Sequence, residues 1–166
     1  KRTSRNTMTV TLGVDQSYTN TGFVVTDNTE LLEFGTFKTP KDKDVYDRAM
    51  MLAEFITQMI NKHSVEKVNI EGLAFGIRGD ATRDLAGLLF VVITTVRRTF
   101  GSTVPVTIVA PTSLKKFATG TGKSDKAAMT SVVPPDTLEK FKAAGFKKTT
   151  GLTDVVDAYW LAKYPS

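Results

Sequence analysis

Within its first forty residues the chain alternates apolar and polar side chains in three short bursts, and then changes period for good. Met8–Val14, rich in Val, Thr and Leu, runs up to Asp15; Gly22–Val25 follows the polar turn Gln16–Thr21; Leu31–Phe37 follows the Asp27-Asn28 turn. Period-two alternation closed by tight turns predicts three strands in an antiparallel meander. From Asp44 to Lys62 the apolar residues Ala49, Leu52, Phe55, Ile56, Met59 and Ile60 fall on one face of a helix. Strand and helix then alternate: a strand over Lys67–Glu71, a helix over Asp80–Arg98 that is apolar around most of its girth, and a strand over Pro105–Ala110. Pro111 opens a short helix, Thr119–Asp125 is a Gly/Thr/Lys loop, and helices follow over Lys126–Val133, Leu138–Ala144 and, capped by Thr153, to Lys163. A meander followed by alternating helices and strands predicts an α/β domain over 8–166: one mixed five-stranded sheet flanked by helices, preceded by a flexible basic arm at 1–7.

Composition narrows the chemistry. With no cysteine, a disulfide scaffold and a thiolate zinc site are excluded, and a lone histidine, His63, leaves no His-based triad. Any metal site must be built from carboxylates, which favour hard cations such as Mg²⁺ or Mn²⁺. Twenty-two Lys and Arg against 17 Asp and Glu give a formal charge of +5, which suits a phosphate-rich partner. The longest apolar run, Leu85–Val96, is interrupted by Gly and Thr and falls short of a bilayer span; no signal-peptide pattern opens the chain. A cytoplasmic protein with no membrane partner is expected.

Four carboxylates stand where a site would form. Asp15 closes the first strand and Glu71 the fourth, and strand ends in α/β sheets are where ligands gather. Asp154 and Asp157, three residues apart, project from one face of the last helix. If those strands are neighbours and the helix packs over them, all four acids converge, and burying so many like charges together is costly unless cations neutralise them. A pair of divalent ions would suit in-line attack on a phosphodiester. Each acid also has a structural explanation: Asp15 and Glu71 as turn residues, Asp154 as a favourable charge in a helix's first turn. Asp157, set among Val156, Ala158, Tyr159 and Trp160, is harder to explain without a partner.

These residues fall into a known order. Leu12-Gly13-Val14-Asp15 with Thr21-Gly22-Phe23, then Ile70-Glu71 followed by the aromatic Phe75, resemble the first two motifs of RuvC-type Holliday-junction resolvases. Pro111, Lys115, the Gly120-Thr121-Gly122 loop and Lys126 match that family's basic loop-and-helix segment, and Asp154-Val155-Val156-Asp157-Ala158 its final D-x-x-D-A motif. The similarity spans residues 12–163. It implies an RNase H-like fold and a homodimer that binds a four-way DNA junction and nicks two opposed strands symmetrically. The metal-binding acids would be Asp15, Glu71, Asp154 and Asp157, holding two Mg²⁺ ions for which Mn²⁺ substitutes, with Asp15 bridging both. Lys126 and Lys115 match lysines near the scissile phosphate. Lys123 beside them, and Arg78 and Arg83 at the start of the second long helix, extend the expected DNA surface, and Phe75 is the candidate probe of the junction bases.

Two departures from the family pattern stand out. Gln16-Ser17 occupies the place of the Pro-Gly usual in cellular members, so the first turn is more similar to phage versions. Phe75 lies one residue later than usual, and a core role fits it equally well. A P-loop reading of Gly120–Lys123 fails on spacing. Three rival functions remain: an RNase H-like nuclease acting on another branched DNA or an RNA/DNA hybrid, a non-catalytic junction-binding module, and an actin-like ATPase fragment. The last lacks its second phosphate loop.

Overall fold

The computed structural model describes residues 8–73 and 79–166; the basic arm at 1–7, Phe75 and Arg78 lie outside the described residues. Strands β1 (Thr11–Asp15), β2 (Asn20–Thr26) and β3 (Leu31–Lys38) form the expected meander, followed by α1 (Val45–His63), β4 (Lys67–Glu71), α2 (Asp80–Phe100) and β5 (Val106–Val109). Four helices complete the chain: α3 (Pro111–Thr119), α4 (Lys126–Ser131), α5 (Pro135–Ala143) and α6 (Leu152–Lys163). The five strands form one mixed sheet in the order β3-β2-β1-β4-β5, antiparallel through β1 and parallel from β1 to β5.

Local chemistry sets several of these boundaries. Asp44 caps α1 by accepting from the Asp47 amide at 2.8 Å, and Asp125 caps α4 by accepting from Ala128 at 2.8 Å. Pro111 and Pro135 sit in the first turns of α3 and α5, where a missing amide costs nothing. The sequence placed the start of α5 at Leu138; the Pro134-Pro135 pair that looked like a stop is its opening. The first strand starts at Thr11 rather than Met8, since the Val10 amide donates to the Glu66 carboxylate at 2.9 Å. Thr153 does not cap the last helix. Gly151, at φ 88°, takes the cap position and Thr153 falls within the first turn.

The two faces of the sheet bury different helices. Leu12, Val14, Phe23, Val25, Val68 and Ile70 pack under α1 and α2, with Leu52, Ile56, Leu88, Val92 and Val96. The opposite face carries α6, which buries Leu152, Val155, Val156, Ala158 and Leu161 against Val24, Val109, Leu114 and Phe141. Because strand side chains alternate, Gly13 and Asp15, Gly22 and Asn20, and Asn69 and Glu71 all face α6. Asn69, wholly buried, donates to the carbonyls of Leu161 (2.8 Å) and Tyr164 (3.0 Å) and so fixes the carboxyl end of that helix.

Among the described residues one helix, α2, has the length and apolar composition to cross a membrane, over a window wider than the Leu85–Val96 run. In this fold it lies along α1 with Leu88, Val92 and Val96 buried, and leaves Phe90 exposed.

Candidate metal centre

Sheet register brings the first two acids together. Val14 pairs with Ile70 across the parallel β1–β4 ladder, so the next residues, Asp15 and Glu71, leave the sheet side by side at the strands' carboxyl ends. Close approach of α6 supplies the others. At Gly13 a Cβ would overlap the Ala158 carbonyl oxygen and the Ala162 amide, and at Gly22 it would overlap the Asp154 carbonyl. Two glycines therefore let the helix backbone rest directly on β1 and β2, with its first two turns over the strand ends. Carboxylate oxygens of Asp15, Glu71 and Asp157 lie within 4.8 Å of one another. Asp154 stands beside this trio, where Asn20 Nδ2 donates to its Oδ2 at 2.9 Å.

The trio is half-buried and electrostatically uncomfortable. Burial, and then the neighbouring Glu71, push the Asp15 carboxyl well above the usual carboxylate range, with Asp157 and Asp154 adding to the shift. Asp157 is pushed up to about 7, first by burial and then by Glu71, while Lys126 and Lys115 pull the other way. Around the acids, Gln16 Oε1 and Asn20 Oδ1 are buried acceptors that no donor among the described residues satisfies. An all-oxygen donor set that resists carrying its own charge, ringed by unsatisfied oxygens, fits a hard divalent cation.

These shifts have a measurable consequence. A carboxyl whose folded pKa is raised holds protons that the unfolded chain has released, so its stabilising contribution is complete below its ordinary value and lost as pH rises through the folded one. For Asp157 that window runs from 3.8 to about 7. In EDTA the thermal midpoint should be lower at about pH 8 than at about pH 6, and Mg²⁺ should raise it more at the higher pH. A midpoint flat across that range, with or without Mg²⁺, would contradict a strained acid cluster.

Two clefts meet at the acids. One, of about 280 Å³, runs under the start of α2 past Gln16, Leu73, Thr82 and Leu85. The other, of about 410 Å³, runs between the β1–β2 turn and helices α3 and α4, and is lined by all four acids together with Asn20, Lys115 and Lys126. Lys115 and Lys126, two of the three lysines named from the sequence, thus border the carboxylates. Lys123 does not line this cleft; it is exposed on the loop before α4. Nor does Arg83, whose guanidinium lies 3.6 Å from Asp80 and 3.7 Å from Asp84 and borders a separate groove with Tyr18, Tyr46 and Phe90.

Asn20 and Gln16 escaped the sequence analysis. Both sit in a polar turn whose composition explains itself, and only the tertiary contact of Asn20 with α6, across 134 residues, shows what it does. The turn is held by the Thr21 hydroxyl, which donates to the Ser17 carbonyl at 2.8 Å and accepts from the Ser17 amide at 3.1 Å.

Comparison with known proteins gives the family and the fold. A family model described as crossover junction endodeoxyribonuclease RuvC matches residues 11–145. The chain is 26% identical over 155 residues to the RuvC of Campylobacter hominis, covering 91% of each. It is 29% identical over 126 residues to that of Parafrankia sp., covering 70% of this chain and 66% of the relative. Among solved structures, Thermus thermophilus RuvC in complex with Holliday junction substrate superposes with a TM-score of 0.71 at 19% identity, covering 93% of this chain and 90% of that one; at that identity the likeness establishes the fold.

Proposed function

Since the chain belongs to the RuvC family of crossover junction endodeoxyribonucleases, we propose that it resolves four-way DNA junctions by paired, symmetric nicks. The observation that carries this is the convergence of Asp15, Glu71 and Asp157, their oxygens within 4.8 Å, in a cleft that also holds Asp154, Lys115 and Lys126. Asp15, Glu71, Asp154 and Asp157 are the residues to hold two divalent cations, Mg²⁺ or in its place Mn²⁺. Bound there, the ions would supply water activation and charge neutralisation for hydrolysis of the phosphodiester.

The chain's own residues do the rest. Lys126 and Lys115 draw a phosphate into the cleft and offset charge that develops on it. Asn20 positions Asp154 through its amide and so orients the helix-borne acids. Gly13 and Gly22 set the distance between α6 and the strand ends. Residues 8–166 act as one nuclease domain, with the arm at 1–7 as a further cationic contact; Lys123 extends the basic surface along the α3–α4 loop.

Cutting two strands about a two-fold axis requires two copies. The outer surface of α1 and α2 supports a homodimer: Tyr46, Met50 and Phe90 are exposed large apolar residues around one groove, in which Gly87 leaves open space. Its setting is the cytoplasm of a bacterial or phage-infected cell, where branched DNA arises.

The test is a labelled synthetic junction beside its linear duplex and an RNA/DNA hybrid, with Mg²⁺ or EDTA. Junction-restricted cutting that EDTA stops is the expected result. Equal cutting of duplex or hybrid would remove the junction specificity, and binding without cutting would leave a non-catalytic module.

A further inference from the structure

Past Lys126, which it shares with the acid cleft, lies a second groove that none of the other described motif positions lines. This groove, of about 620 Å³, runs between α4 and the turn that leads into α6, and is lined by Lys126, Lys142, Lys147, Lys148, Phe146 and Thr153 among others. Among the described residues four lysines and no acid line it. Among the described residues none of these lysines is in an ion pair. Its floor is largely apolar, with Phe146 and Leu152, and Thr130, Ser131 and Thr153 add hydroxyls.

The lysines stand on a rigid support. The Thr150 amide donates to the Lys147 carbonyl at 2.9 Å and the Leu152 amide to the same oxygen at 3.1 Å, closing the turn around Lys148. Gly145 and Gly151 at its ends adopt φ values of 97° and 88°, which a side chain would resist. Phe146 packs on Phe34 at 6.3 Å between ring centroids and its amide donates to the Phe141 carbonyl, so the turn is fastened to the core. Backbone held in place in this way orders little when the exposed side chains of Lys147 and Lys148 bind a polyanion.

Lys126 lines both grooves, and Thr153 in the second adjoins Asp154 in the first. A ligand long enough to lie across the acids and continue past Lys126 therefore enters the second groove. We propose that this groove holds the sugar–phosphate backbone of the DNA strand being cut, a few nucleotides from the scissile phosphate. Its phosphates lie against Lys142, Lys147 and Lys148, and its sugars over Phe146 and Leu152. The inference rests on the nuclease reading above and adds a second stretch of substrate contact to it.

The experiment measures binding of a labelled four-way junction in EDTA over a range of salt concentrations. It compares the unaltered protein, the triple variant K142Q/K147Q/K148Q, its arginine counterpart K142R/K147R/K148R, and a remote control, K62Q/K67Q. Lys67 opens β4 at the end of the sheet opposite Glu71. Each lost phosphate contact flattens the slope of log K against log salt by about 0.9, so the glutamine triple, which removes three contacts in each protomer of the dimer, should lose about 5 of slope and bind at least roughly tenfold more weakly. The arginine triple and the remote pair should keep the slope, and all variants the thermal midpoint. An unchanged slope in the folded glutamine triple overturns the groove while junction cleavage by the unaltered protein leaves the nuclease reading standing. An equal loss in the remote pair also overturns it, because net charge alone would then explain the effect. If the unaltered protein neither binds nor cuts a junction, both readings fall.

Discussion

Asp15→Asn should lower the rate of junction cleavage by on the order of 10³-fold or more, about 4 kcal/mol of transition-state stabilisation, while making the ion-free protein more stable. The two effects have one origin. Asp15 is pressed between β1 and α6 against Glu71 and Asp157, and burial with like charge already drives its carboxyl toward the protonated form. An amide of the same shape removes a buried charge that must otherwise be neutralised by a proton or a cation. In EDTA at about pH 8 the variant's thermal midpoint should rise by a few degrees, at roughly 2–4 °C per kcal/mol for a chain of this length, and the Mg²⁺-induced increase should shrink or vanish. Loss of cleavage with a lowered midpoint would indicate that Asp15 is structural. Retained cleavage would remove it from the centre altogether.

The second large effect is at Gly22. A Cβ there would meet the Asp154 carbonyl carbon at 2.5 Å and its Cβ at 3.1 Å, backbone against backbone, with no flexible side chain to give way. Gly22→Ala must lift the start of α6 from β2 or distort the strand, at a cost of about 3 kcal/mol or more. The thermal midpoint should fall by roughly 6–12 °C. Because Asp154 is the residue displaced, the variant should also need more Mg²⁺ for half-maximal stabilisation. Gly87→Ala, inside α2 with nothing within 4 Å, is the internal contrast: helix propensity should raise the midpoint by roughly 2–4 °C rather than lower it. Equal stability of Gly22→Ala and the unaltered protein would show that α6 does not bear on the sheet as described.

Much of this fold is written locally. β4 carries its alternation within five residues, and its sequence-based limits coincide with the structure; α1 shows its buried stripe so plainly that its ends shift by a single residue. The parallel β1–β4 pairing is not local: in the sequence it is only the condition on which the two strand-terminal acids would meet, and the ladder between Thr11–Val14 and Lys67–Ile70 meets it. What escaped the sequence depends on tertiary contact. Thr153 has the chemistry of a helix cap, but the 145–151 turn is pinned by Phe146 and Gly151, which moves the cap two residues earlier. Asn20 looks like any turn asparagine until α6 is laid over it. Lys142, Lys147 and Lys148 read as ordinary solvated charges, since nothing in their spacing says that a helix end and a turn bring them to one groove. Arg83, named from its place at the start of α2, stands beside two acids of its own helix and borders a groove other than the acid cleft.

The most direct test of the central claim uses a supercoiled circular DNA that extrudes a single cruciform. A two-fold enzyme whose paired acid centres cut opposed strands at a junction should, with Mg²⁺, convert the circle to a linear product with ends at the cruciform. Neither EDTA nor Asp157→Asn should permit it. Relaxed circles nicked without regard to the cruciform, or intact circles under all metal conditions, would contradict the assignment of this cluster as a junction-resolving nuclease centre.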